Sequence, residues 1–169
     1  METLRGLTGI EGPVFIRKLT RKSHWGDTNT EQESRLSFAL SNMFCDNEGS
    51  KFSFYRAESV IELAQMAIGL NSNRGSLKEQ IDFVPFSEEE LSGLELVQTP
   101  GETNCYAANK LHFDVVAKIQ LLSDLCKVAM QNNRMAVRLS KNWLEKKLNE
   151  PRISNCYAIT KIADKCKCD

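Results

Sequence analysis

Three side chains in the later half of the chain have the residue types of a nucleophilic site: Cys105, His112 and Asp114. A thiol attacks as thiolate, so it needs a neighbouring base, and that base needs a carboxylate or amide to orient it. His112 and Asp114 stand two apart in Lys-Leu-His-Phe-Asp-Val-Val (residues 110–116), which alternates Leu111, Phe113 and Val115 with polar positions. On a strand such a pair shares one face, opposite the apolar residues. Asn104 and Asn109 offer amides nearby in the chain. The chemistry this permits is group transfer by a cysteine nucleophile. The spacing does not demand it, because no flanking motif surrounds Cys105. A hydrogen-bonded polar strand face beside an ordinary loop cysteine is the commoner arrangement.

Two other sets of residues hint at ligands. Cys156, Cys166 and Cys168 follow a Cys-x9-Cys-x-Cys pattern, and zinc takes four tetrahedral ligands, usually from tighter paired knuckles. No metal site is therefore expected, and no cofactor. The turn Ser72-Asn73-Arg74-Gly75-Ser76 has amides, hydroxyls and a guanidinium suited to an anion. It lacks the lysine and the glycine spacing of a phosphate loop, and no GxGxxG follows a strand. A turn that ends a helix describes it better.

Charge is the remaining signal. Lys/Arg and Asp/Glu number 22 each, yet residues 1–26 carry net +3, residues 27–133 net −8, and residues 134–169 net +5. Basic ends packed on an acidic middle explain this most simply. A more specific reading is a basic surface for an anionic macromolecule, made by Arg134, Arg138, Lys141, Lys146 and Lys147 on one helix with Trp143. A pI near 6.7 argues against a dedicated nucleic-acid domain.

The elements that must position these residues can be read from periodicity. Residues 1–13 hold Gly6, Gly9, Gly12 and Pro13 and are expected to form an irregular leader. Val14–Leu19 is a candidate strand, and residues 20–33 read as a loop around His24 and Trp25. Arg35–Phe44 alternates Leu36, Phe38 and Leu40 with small or polar neighbours, which predicts a strand forming a hairpin with Phe52–Arg56. Residues 58–70 carry one broad apolar stripe and predict an amphipathic helix. With the flanking strands it makes a strand–helix–strand unit of about 35 residues, Phe52 to Phe86. Pro85 suggests that strand 81–86 lies at a sheet edge or strand end. Ser87 and Glu90 fit a capping box opening a short helix. Leu94–Gln98 is a strand candidate and residues 99–108 a loop. Helices are predicted over about 118–131 and 134–148, with a strand or coil at 153–159.

These elements predict an α+β fold with a mostly antiparallel sheet of four to six strands: one domain over 14–169, with a helical C-terminal part from about 118. An apolar fraction of 41% and a charged fraction of 26% exclude wholesale disorder. No apolar run nears the ~18 residues needed to span a bilayer, and the first residues lack the pattern of a signal peptide. A cytoplasmic protein with reduced cysteines is expected, without a membrane partner. The functional expectation is a non-enzymatic binding or regulatory module that contacts a protein or nucleic acid through its basic C-terminal helix. The alternative is a small enzyme using Cys105, His112 and Asp114.

Overall fold

Strand alternation and helical stripes meet, in the computed structural model, in one six-stranded antiparallel sheet with helices on both faces. The structure describes residues 1–44, 51–73, 76–77, 79–103 and 105–153. In chain order the elements are α1 (Leu4–Thr8), β1 (Val14–Leu19), a 3-10 turn (Lys22–Trp25), α2 (Gln32–Met43), β2 (Lys51–Ala57) and α3 (Val60–Asn71). A two-stranded ribbon, β3 (Ser72–Asn73) and β4 (Ser76–Leu77), leads to β5 (Ile81–Ser87) and β6 (Glu95–Gln98). Then come α4 (Tyr106–Lys110), β7 (His112–Val116), α5 (Ile119–Gln131), β8 (Val137–Leu139) and α6 (Lys141–Leu148). No described helix is long and apolar enough to cross a membrane.

The sheet runs β6-β7-β2-β1-β5-β8. Strands β2 and β5 are both antiparallel to β1, so they are parallel to each other with β1 between them. The strand–helix–strand unit from Phe52 to Phe86 is thus a split crossover, with α3 lying over the gap that β1 fills. Seven consecutive residues of α3, Leu63 to Gly69, are buried. A helix apolar on nearly every side must be covered on every side. The sheet lies beneath it, and α4 and α6 pack against it.

Period-two alternation divides the side chains between two cores. Val14, Ile16, Tyr55, Ala57, Ile81 and Phe83 join α1, α3, α4 and α6 on one face. Phe15, Phe52, Phe54, Val84, Phe86 and Val115 join α2 and α5 on the other. Six consecutive residues of β5 are buried, as suits a strand covered on both faces. On the α2 side, Phe44, Phe54, Phe86 and Trp25 form a run of ring contacts with centroids 5.9 to 6.5 Å apart. Such pairs add roughly 0.5–1.5 kcal/mol each beyond the area they bury.

Several local expectations are corrected. Arg35–Phe44 is not a strand: it belongs to α2, and β2 pairs with β1 and β7 instead of making a hairpin. The apparent alternation depended on Phe38, which is 47% exposed, whereas the residues that reach the core are Leu36, Ala39 and Met43, at helical spacing. The guanidinium of Arg17, on β1, donates to the Met43 carbonyl at 2.7 and 3.2 Å, satisfying a terminal carbonyl of α2. The helix expected over 134–148 begins only at Lys141, because Val137–Leu139 pairs with β5 and Ser140 is the N-cap of α6. Ser140 Oγ accepts from the Trp143 amide at 3.2 Å. Strand β5 is interior, not an edge. It tolerates Pro85 where β8, which pairs only with Ile81–Phe83, has already ended.

The capping box of Ser87 and Glu90 forms, with bonds of 2.8 and 3.2 Å, but it opens a run of turns instead of a helix. The loop expected over 99–108 contains the start of α4, and the leader contains the helical turn α1, capped by Thr3. The strand or coil expected over 153–159 lies outside the described residues save for Ile153.

Candidate functional site

His112 and Asp114 share a sheet face, as their spacing predicts, and among the described residues their polar partners do not include Cys105. Cys105 precedes α4 and is fully buried under α3, where the missing side chain of Gly69 leaves room for it. The polar partners of the His112 ring are Thr99 and Asp114. Nδ1 lies 3.0 Å from Thr99 Oγ1 and 3.1 Å from the Thr99 carbonyl oxygen, and Nε2 lies 3.9 Å from Asp114 Oδ1. Thr99 Oγ1 donates to Asp114 Oδ2 at 3.0 Å. The contacts at Thr99 fit one assignment: Nδ1–H donates to Thr99, and the single hydroxyl proton goes to Asp114. A hydroxyl that gives its proton to a carboxylate is not activated by the histidine. The trio pins the segment after β6 to β7, with Tyr55 edge-on to the imidazole at 5.1 Å. Burial, reinforced by the charge of Glu102, pushes the Tyr55 phenol up to about 12.

Cys156, Cys166 and Cys168 lie outside the described residues. Among the described residues no group of three His, Cys, Asp or Glu could hold a metal ion. In the turn considered for an anion, Ser72–Asn73 and Ser76–Leu77 pair as a ribbon, and Arg74 and Gly75 are outside the described residues.

The basic residues do not form one helical stripe. Arg134 precedes β8 and meets Glu90 at 2.8 Å; Arg138, on β8, holds Asp82 through two bonds of 2.7 and 2.8 Å. On α6, Lys147 reaches Glu150 at 2.7 Å and Glu2 at 3.1 Å, and Trp143 Nε1 donates to Glu2 at 2.7 Å. Lys141 lies 3.8 Å from Glu145, and the charge of Lys146 helps hold the Glu2 carboxyl below its usual range. Arg134 and Arg138 thus pair with carboxylates of the acidic middle of the chain, as the simpler reading of the charge blocks expects.

Sequence reasoning gave no role to the groove that opens between the 3-10 turn, α2 and the residues before β8. Its volume is about 810 Å³. Trp25 lies in its wall, 1% exposed, with Nε1 donating to the Arg134 carbonyl at 2.8 Å. Phe38 and Met135 line it while remaining about half exposed. Arg35 also lines it, and that residue is 8% exposed. Its Nε donates to the Trp25 carbonyl at 3.3 Å, and its guanidinium carbon lies 5.5 Å from the centre of the Trp25 ring. Its Nη2 is buried without a hydrogen-bond partner among the described residues. The only other such atom among the described residues is His24 Nδ1, on the 3-10 turn beside Phe38.

Gly26 makes room for this arginine. Its φ is +82°, and an added β-carbon would sit 2.6 Å from Arg35 Cγ. Burial lowers the Arg35 pKa, partly offset by the charge of Asp27, and among the described residues no carboxylate comes within ion-pair distance. An arginine stays charged in such surroundings. A smaller cavity of about 230 Å³ adjoins the groove and shares Thr30, Arg35 and Met135 with it. The sequence signal for this site was faint: an arginine placed on the wrong type of element, and a Trp-Gly pair in a polar loop. The chain matches no family model, no curated protein and no solved structure.

Proposed function

We propose that this chain is a non-enzymatic binding module whose site is the groove between the 3-10 turn, α2 and β8, and that it receives an anionic group of its partner there. One observation carries the reading: Arg35, 8% exposed, lines an open groove, and its Nη2, closed off from solvent by the protein, has no hydrogen-bond partner among the described residues. A buried donor left without an acceptor costs roughly 1–3 kcal/mol, and few folds keep one unless something else compensates it. Arg138, expected from sequence to contact a partner, lines the same groove. The other basic residues of the C-terminal segment support a macromolecular contact less well, since Arg134 and Lys147 already hold carboxylates. The enzymatic alternative has less support still, with Cys105 fully buried and His112 engaged by Thr99 and Asp114.

The reading is testable without knowing the partner. Arg35→Met keeps the stem that packs beside Gly26 and removes the guanidinium with its unbonded Nη2. The unliganded variant is expected to be more stable than the parent by about 1 kcal/mol in urea unfolding, the sign of a residue retained at a cost to the fold. A variant less stable than the parent would make Arg35 a structural residue and end the proposal.

A further inference from the structure

The chemistry of the groove narrows the identity of its ligand, on the premise that the groove binds an anionic group at all. We infer that the ligand is a small organic monocarboxylate with an apolar body, its carboxylate on the Nη end of Arg35 and its body against Phe38, Met135 and Trp25.

Three observations lead there. The first is size: about 810 Å³ falls inside the range of roughly 300–1,000 Å³ typical of small-molecule sites. The second is charge. Lys22, Arg35, Arg138 and Asp27 line the groove, but Arg138 is already held by Asp82 through two short bonds. Lys22, Arg35 and Asp27 then leave one positive charge, which a monoanion neutralises. A phosphate dianion or a nucleic-acid backbone would bring more negative charge than the groove answers, and would set it beside Phe38 and Met135.

The third observation is direction. The Arg35 side chain is fixed at two points, its Nε by the Trp25 carbonyl and its stem against Gly26. Its one side-chain hydrogen bond among the described residues is that from Nε; Nη2 is unbonded but closed off from solvent, so a carboxylate meets it only by displacing the side chains that cover it. A planar fork of N–H donors matches a carboxylate, and burial strengthens the bond by excluding water. The apolar walls beyond it reward an aliphatic or aromatic body with about 25 cal/mol for each Å² withdrawn from water.

The test uses the full chain carrying Trp143→Phe, so that Trp25 is the sole tryptophan reporter. Its fluorescence is followed while decanoate, decanol or inorganic phosphate is added, with decanoate kept below its micellar concentration. Decanoate is expected to give a saturable change and to bind at least tenfold more tightly than decanol or phosphate. Adding Arg35→Met is expected to weaken decanoate at least tenfold, and Phe38→Asp, at a half-exposed position, to weaken it as well. Decanol binding as tightly as decanoate would reduce the site to an apolar groove and overturn the inference. Phosphate binding as tightly would make it an inorganic-anion site, and decanoate binding unchanged by Arg35→Met would remove the anchor; either result overturns it too. If none of the three probes binds while Arg35→Met still stabilises the unliganded chain, the ligand class is wrong and the binding reading stands. If Arg35→Met destabilises the chain, both fall.

Discussion

Asp82 and Arg35 are both buried near the groove, and they show what a partner does for a charge. The Asp82 side chain is 4% exposed, and burial alone would raise its pKa. Two hydrogen bonds from Arg138 and one from the Lys22 amide, with the charges behind them, overcome this and hold the carboxyl below its usual range. A folded-state pKa below the unfolded value contributes stability above the unfolded pKa of about 4, and loses it as pH falls through the folded value. Asp82→Asn is therefore expected to cost about 2 kcal/mol at pH 7. Urea midpoints should fall more steeply below about pH 5 for the parent than for the variant, and parallel curves would refute the assignment. None of these pairings was legible in the sequence. Asp82 and Arg138 are 56 residues apart, and Glu90 and Arg134 are 44 apart. Only the β5–β8 register and the turn after β5 bring them together.

At the scale of elements, legibility tracked the strength of the periodic signal. Helices α3 and α5, and strands β1, β5, β6 and β7, stand within a residue or two of their predicted positions, since each has an apolar pattern that fits one period. Helix α2 was misread because Leu36, Phe38 and Leu40 imitate a strand. Strand β8 was missed because three residues are too few to show a period against the helix beside them. The contact of α3 with α4 gives a test at this scale. An alanine side chain at Gly69 would place its β-carbon 2.8 Å from Ala108 Cβ, 2.9 Å from Thr103 Oγ1 and 3.0 Å from Cys105 Cβ. The helical gain of up to about 1 kcal/mol is smaller than the cost of displacing α4, so Gly69→Ala is expected to destabilise by about 1–2 kcal/mol. Gly93→Ala, where no atom lies within 4 Å of the added carbon, is the control and should be close to neutral in the same denaturation series.

For the molecule as a whole, the segregated charge of the sequence turns inward. Basic residues near the C-terminal side meet Asp82 and Glu90, and Glu2 brings the first residues onto α6 through Trp143 and Lys147. Burial raises the Glu2 pKa, but the bonds from Trp143 and Lys147 more than reverse it. Glu2 is 37% exposed, so solvent screens part of this, and Glu2→Gln is expected to cost about 0.5–1 kcal/mol. Calorimetry would show this as a melting point lower by roughly 2 °C, whereas an unchanged melting point would mean that the N-terminal contact adds no stability. The division of side chains by the sheet has a consequence for how this chain can change over time. In β7, His112 and Asp114 face one layer and Val115 the other, a division that depends on an unbroken count of residues. A single inserted residue there would send Val115 among the polar groups and Asp114 into an aromatic core, spoiling both layers at once. Central strands of this kind accept new letters but not new lengths, so the lineage of this fold is free to grow only at its turns.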